Sequence, residues 1–228
     1  MTETVLCYHA VSPTWEHRLS LTPDLFRRQL RAMRLLGPVH VTFDDAYRNI
    51  ESTVDELVAQ GIPVTIFVCS GYADRDGAPL TIPELATDDP AELEQLSTMD
   101  WDDLRRLRDR GVTIGSHAVS HPHLPALSST EVERELRESK QRIEDELDVR
   151  CEDFAYPFGQ TDARVRSLVR EAGYERAFSL LADPGDPYDL PRVDLYRWHS
   201  AARGVLKAVV KYRLGPALRR RRTGSSAR

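Results

Sequence analysis

Short apolar runs alternate along the chain with amphipathic stretches, and several of the amphipathic stretches stop at a glycine. The runs at 4–10, 39–43, 62–69, 112–117, 153–156 and 175–180 are rich in Val, Ile, Phe, Cys and Tyr. Most are continuous rather than alternating, which is the pattern of strands buried on both faces. Between them the spacing predicts helices. Thr22-Pro23 supplies an N-cap with proline at the first helical position, and Phe26, Leu30 and Met33 then share a face running to about Leu36. Ile50, Val54, Leu57 and Val58 mark a helix over 48–60 closed by Gly61, and helices over 100–110 and 162–172 end at Gly111 and Gly173. Ser128 with Glu131 forms a capping box before a face of Val132, Leu136, Ile143 and Leu147. Strand, helix and glycine in repetition mean parallel strands covered by helices. The fold class is α/β: a closed or nearly closed barrel of βα units fits the number of repeats, with a doubly wound open sheet as the rival. Residues 74–90 are polar and rich in Asp, Pro and Gly, and read as a surface loop with little regular structure.

At 228 residues the chain can bury a substantial core as one domain. No apolar run approaches the length that spans a bilayer. The N-terminus has no basic segment leading into a long apolar one, so no signal peptide is expected and action inside the cytoplasm is. Cys7, Cys69 and Cys151 are widely spaced in apolar runs and read as buried thiols of a reducing compartment. The net charge of −5 conceals an asymmetry, because Asp194 is the last acid and ten Lys or Arg follow it. Residues 195–228 therefore carry +10 and residues 1–194 carry −15. The chain divides into 1–198 and a basic end, 199–228. In that end Val205, Leu206, Val209, Val210 and Leu214 make an apolar stripe beside Arg203, Lys207 and Lys211, followed by the block Arg219–Arg222. A last helix packing on the barrel with a solvated tail is expected; peripheral contact of residues 199–222 with an anionic membrane surface is the alternative. No aromatic platform accompanies the arginines, so nucleic acid is not an expected partner.

The chemistry concentrates where two of the runs end. The strand through Val39, Val41 and Phe43 finishes in Asp44-Asp45. Buried carboxylates need partners, so the pair belongs at the carboxyl edge of the sheet, where α/β folds bind ligands. The next informative stretch, Gly115-Ser116-His117-Ala118-Val119-Ser120-His121-Pro122-His123, leaves a strand at the same edge. One helical turn over 117–121 puts both imidazoles on one side. Two imidazoles and a carboxylate suit Zn²⁺ or a similar ion. His123 is a rival ligand, set apart by the turn at Pro122.

Thr42-Phe43-Asp44-Asp45, followed by Gly115-Ser116-His117-Ala118-Val119-Ser120-His121-Pro122, resembles the polysaccharide deacetylases, the NodB-homology or carbohydrate esterase family 4 enzymes. Phe154-Ala155-Tyr156-Pro157-Phe158-Gly159 is similar to their third motif in the form of the poly-N-acetylglucosamine branch, and 61–68 matches their second strand. The resemblance covers residues 5–193. It implies a distorted (β/α) barrel of about seven strands that removes N-acetyl groups from amino sugars of a glycan or glycan precursor. It implies one divalent ion (Zn, with Co, Ni or Mn as alternatives) on Asp45, His117 and His121, and Asp44 as the general base. The backbone N–H near Phe158 would hold the oxyanion, and His9 in Tyr8-His9 would be the acid. Three departures stand out: Ala46 where the family has glycine, Ala155 where an arginine orients the base, and no Asp-Trp partner for the acid. Arg192 is expected to reach Asp44 in place of the missing arginine. The departures leave room for a carbohydrate-binding module that has lost catalysis. A hydrolase of another amide, such as a cyclic imide, is a further rival.

Overall fold

The structure, a computed structural model, describes residues 3–180 and 185–214. Strand β1 (Thr4–Tyr8) begins the barrel, while β2 (Ala10–Val11) and β3 (Ser20–Leu21) form a separate parallel pair. Helix α1 (Pro23–Arg34) leads to β4 (Val39–Asp44), and α2 (Glu51–Ala59) leads to β5 (Val64–Val68). Three helices, α3 (Ser70–Ala73), α4 (Pro90–Gln95) and α5 (Trp101–Arg108), precede β6 (Thr113–Ser116). Helix α6 (Ser129–Leu147) precedes β7 (Asp153–Ala155), and α7 (Ala163–Glu171) precedes β8 (Arg176–Ser179). Two short strands, β9 (Leu190–Pro191) and β10 (Val193–Asp194), and helix α8 (Ala201–Ala208) complete the described chain.

Eight strands pair in the order β10-β1-β4-β5-β6-β7-β8-β9, every pair parallel. The two edges of this sheet are consecutive in sequence. Ser179 pairs with Pro191 at one edge and Leu6 with Val193 at the other, so Arg192 alone bridges the seam. The barrel is nearly closed, and one strand more than the seven expected arises from this split. Alternation sorts β4: Val41 and Phe43 join the large core shared with the helices, while Thr42 and Asp44 point into the barrel. Phe67, Ala155 and Phe178 form a separate small apolar cluster with Val5 and Leu190. Phe67 fits because Gly115 has no side chain: a Cβ there would stand 2.6 Å from its ring.

Local signals set the helix ends. Thr22 accepts from Leu25 N, and Ser128 and Glu131 form the reciprocal capping box. Residues 74–90 depart from the surface loop expected of them. Leu80, Ile82 and Leu85 are buried in a satellite core with Trp15 and Tyr47, so the segment caps the barrel rather than leaving it. At the end of the described chain, the helix continues through Val209–Leu214 and holds the seam. Lys211 Nζ donates to the carbonyls of Arg192 and Leu180 (2.6 Å each), and the Tyr212 hydroxyl donates to Pro191 O and accepts from Val5 N. The Leu214 side chain and the block Arg219–Arg222 lie outside the described residues.

Candidate active site

The carboxyl ends of the strands open into a cleft of about 260 Å³. His9, Asp44, Asp45, His117, His121 and Phe158 all line it, although they come from four separate stretches of chain. Asp44 ends β4, His9 occupies the break between β1 and β2, and His117 and Phe158 follow β6 and β7. Arg192 approaches from below.

Asp45, His117 and His121 bring one ligand atom each into a group within 4.8 Å. Asp45 Oδ1 stands 3.7 Å from His117 Nε2 and 3.4 Å from His121 Nε2. Donors about 2.0–2.2 Å from a tetrahedral ion are themselves about 3.3–3.6 Å apart, so these spacings match a shared cation closely. The electrostatics point the same way. Asp45 Oδ1 is buried without a hydrogen-bond donor. Burial raises the Asp45 pKa, and the charges of His9 and His117 do not offset it. Burial likewise drives both His117 and His121 down to about 4. Near pH 7 the imidazoles are therefore neutral, the form that ligates metal. His117 Nδ1 lies 2.7 Å from Ala155 O, which assigns its proton to Nδ1 and leaves Nε2 facing Asp45. The site lacks one positive charge, and a divalent cation fits it.

The two histidines meet without the helical turn expected of 117–121. Ala118 and His121 adopt φ of 67° and 60°, so the segment is a loop bent by two left-handed residues. Glu135 clamps that loop, its carboxylate accepting from Val119 N, Ser120 N and the Ser120 hydroxyl at 2.8–3.0 Å. Of the seven non-glycine residues with positive φ among the described residues, five (Asp45, Ala46, Ala118, His121 and Phe158) belong to the loops around this cleft. Strain gathered in one place is a mark of a working site. Ala46, at φ 53° and fully buried, takes the conformation a glycine would favour. Replacing Ala46 by glycine should relieve about 1–2 kcal/mol of backbone strain. It forfeits about 0.8 kcal/mol of methyl burial and about 0.4–1 kcal/mol of unfolded-chain entropy. Urea unfolding of Ala46→Gly is accordingly expected within about 1 kcal/mol of the parent, which explains how alanine is tolerated there.

Asp44 sits apart from the cation-binding group in its interactions. Arg192, 0% exposed, forks it: Nη1 donates to Oδ1 at 2.5 Å and Nη2 to Oδ2 at 2.8 Å, with Thr42 Oγ1 accepting a further bond from Nη1 at 3.1 Å. The Cys7 thiol also donates to Oδ2 at 3.4 Å. Burial alone would raise Asp44, but the Arg192 guanidinium, helped by His117, holds it well below the usual carboxylate range. Cys7, His9 and Asp44 could also group around an ion. Yet Asp44 already has its cation, and burial raises the Cys7 thiol well above its ordinary value. The ring of Phe158 stacks on His123 at 3.7 Å and meets the edge of His121 at 4.5 Å. That stack and Glu84, 3.3 Å away, hold His123 outside the cation-binding group.

Several residues of the site escape sequence reasoning. Glu135 had a signal, a charge on the buried face that Val132 and Leu136 define. Arg18, Glu84 and Tyr196 line the cleft from segments that carry no motif. Tyr196 stacks over His9, ring centroids 6.0 Å apart.

The family model described as polysaccharide deacetylase matches residues 37–177, well over half of the chain. Among solved structures the fold is similar to the deacetylase PplD of Streptococcus pyogenes, crystallised with acetate (18% identity, TM-score 0.71, covering 90% of this chain and 97% of that one). It is similar also to IcaB from Ammonifex degensii (20% identity, TM-score 0.66, 89% and 96%). A third likeness is the polysaccharide deacetylase BC0361 from Bacillus cereus (18% identity, TM-score 0.68, 90% and 68%). At these identities the likenesses speak for the barrel.

Proposed function

The chain belongs to the polysaccharide deacetylase family, and we propose that it hydrolyses the N-acetyl groups of amino sugars in a glycan or glycan precursor. The family acts on acetylated sugars; the amide linkage, the metal dependence and the residue roles are our reading. The observation that carries it is the buried, donor-free Asp45 oxygen between two neutral imidazoles, beside a second carboxylate with a cation of its own.

Asp45, His117 and His121 would hold one divalent ion, Zn²⁺ best suiting a set of two imidazoles and a carboxylate. Such an ion supplies Lewis acidity and makes water a nucleophile at neutral pH, lowering its pKa to roughly 7. The remaining work falls to the protein. Asp44, kept ionised by Arg192, accepts the proton of the attacking water. The fork on both oxygens makes it a weak base with a fixed aim. The backbone N–H of Phe158 donates to the oxygen that gains charge as the carbonyl carbon becomes tetrahedral. His9, in the cleft under Tyr196, protonates the departing amine. Ile82 and Leu85, from the segment capping the barrel, wall the cleft against bulk water.

Acetate release by metal-reconstituted protein across a panel of N-acetylglucosamine oligomers tests this reading, with Asp44→Asn as control. The parent should turn over one or more of these substrates, and the variant should lose about 10²–10⁴-fold in kcat with the fold intact. Glycan binding with neither metal uptake nor acetate release would identify a binding module that has lost catalysis. Release from other amides alone would move the substrate class.

A further inference from the structure

Helix α8 presents its side chains the wrong way round for a helix whose only partner is its own barrel. Its buried positions are the small ones, Gly204 and Ala208, while Leu206 and, in the segment that continues the helix, Val210 are 62% and 47% exposed. A Cβ at Gly204 would come within 2.9 Å of Leu195, so the small face is needed for close approach to the barrel. The stripe expected to pack inward is therefore split. Val205 and Val209 are half-buried, and the i, i+4 pair Leu206 and Val210 faces away. Trp198 lies in the turn that precedes α8, its ring stacked on Tyr196 at 5.0 Å, and is 53% exposed. Helix α1 packs alongside α8 and is followed at its C-terminal end by Leu35, 87% exposed. These four are all the exposed large apolar side chains among the described residues. Single exposed apolar residues are ordinary, but their gathering on one helix pair and the residues that flank its helices is not.

Basic charge predominates around the patch. Arg28 and Arg31 on α1 and Arg203 on α8 are exposed, Asp24 is the only acid of α1, and no acid follows Asp194 in the sequence. A second copy of this chain would set these arginines against one another. A surface of anionic headgroups would not.

We propose that the outer face of α1 and α8 docks on an anionic bilayer. Leu35, Leu206 and Val210 enter the headgroup–acyl boundary, with Trp198 at the interface, where an amphipathic ring is most at home. Arg28, Arg31 and Arg203 meet the lipid phosphates. Helix α8, eight residues at 1.5 Å each, is about 12 Å long, enough to lie along a surface and too short to cross it. No helix among the described residues is long and apolar enough to span a membrane.

The test uses the full chain and vesicles of phosphatidylcholine, with and without phosphatidylglycerol. The protein should sediment with the anionic vesicles and not with the neutral ones. Its tryptophan emission should shift to the blue, a change that reports Trp198 because Trp15 and Trp101 are already buried. The exposed double variant L206Q/V210Q should keep its circular dichroism and acetate release but bind at least tenfold more weakly. Failure of the parent to bind anionic vesicles overturns the proposal. So does equal binding by the double variant, which would assign the contact to tail charge alone. A concentration-dependent dimer that L206Q/V210Q abolishes, without vesicle binding, would also overturn it in favour of a second copy.

Discussion

Arg192→Ala should cost this protein about 3–5 kcal/mol of stability, because it strands a buried carboxylate without its counter-charge. Arg192 is 0% exposed and makes both of its bonds to Asp44 inside the barrel, so water cannot take its place without opening the seam. The sign with pH follows from the direction of the shift. Asp44 is held below the usual carboxylate range, so its contribution is complete above the unfolded value, about 3.9. It is lost as pH falls through the folded value. At neutral pH the substitution therefore shows its full effect in chemical unfolding. Without the guanidinium, burial is left to push Asp44 upward. The acidic limb of the rate profile should move to higher pH, and kcat should fall by at least about 10²-fold, as for loss of a correctly charged general base. Arg192→Lys should recover part of the stability and little of the rate, since an ammonium cannot fork two carboxylate oxygens. An unchanged rate and an unchanged pH profile in Arg192→Ala would end the case that Arg192 orients the base.

The seam explains why one arginine can hold so much. Strands β9 and β10 pair with opposite edges of the sheet and are joined only by Arg192, so the residue that closes the barrel also points at Asp44. Two-residue strands leave no periodic trace, and sequence could offer Arg192 only as a substitute for an arginine missing elsewhere. The carboxylate pair and the histidines were legible because their residue types are costly to bury and end apolar runs. How the histidines meet was not, since nothing in Ala118 advertises a left-handed backbone. The segment 74–90 hides its burial for a similar reason. Leu80, Ile82 and Leu85 are isolated among polar residues, and burial without period gives no signal. The last helix shows the limit from the other side. Its apolar spacing was evident, but periodicity defines a face and is silent on what that face meets.

Asp45→Asn should separate the two contributions the cation-binding group makes, one to folding and one to function. In the metal-free parent, Asp45 is a buried carboxylate with a donor-free oxygen and a raised pKa, so near pH 7 its charge opposes folding. A neutral amide of the same shape removes that opposition. The sign is that of a carboxylate more acidic unfolded than folded: its penalty grows as pH rises through the two values and is fully present above both. In chelator at pH 7, Asp45→Asn should thus be more stable than the parent by about 1–3 kcal/mol, the cost of one unsatisfied buried polar group. Adding Zn²⁺ should reverse the order. At a hundredfold excess over Kd the parent gains about 2.7 kcal/mol, and the variant, missing its only anionic ligand, gains far less. Metal analysis should find about one ion per parent chain and much less in the variant, with acetate release at background. Thermal unfolding with and without Zn²⁺ reads both halves at once. If the variant were the less stable protein in chelator, Asp45 would be satisfied in the folded chain without a cation, and the ligand set would have to be sought elsewhere in the cleft.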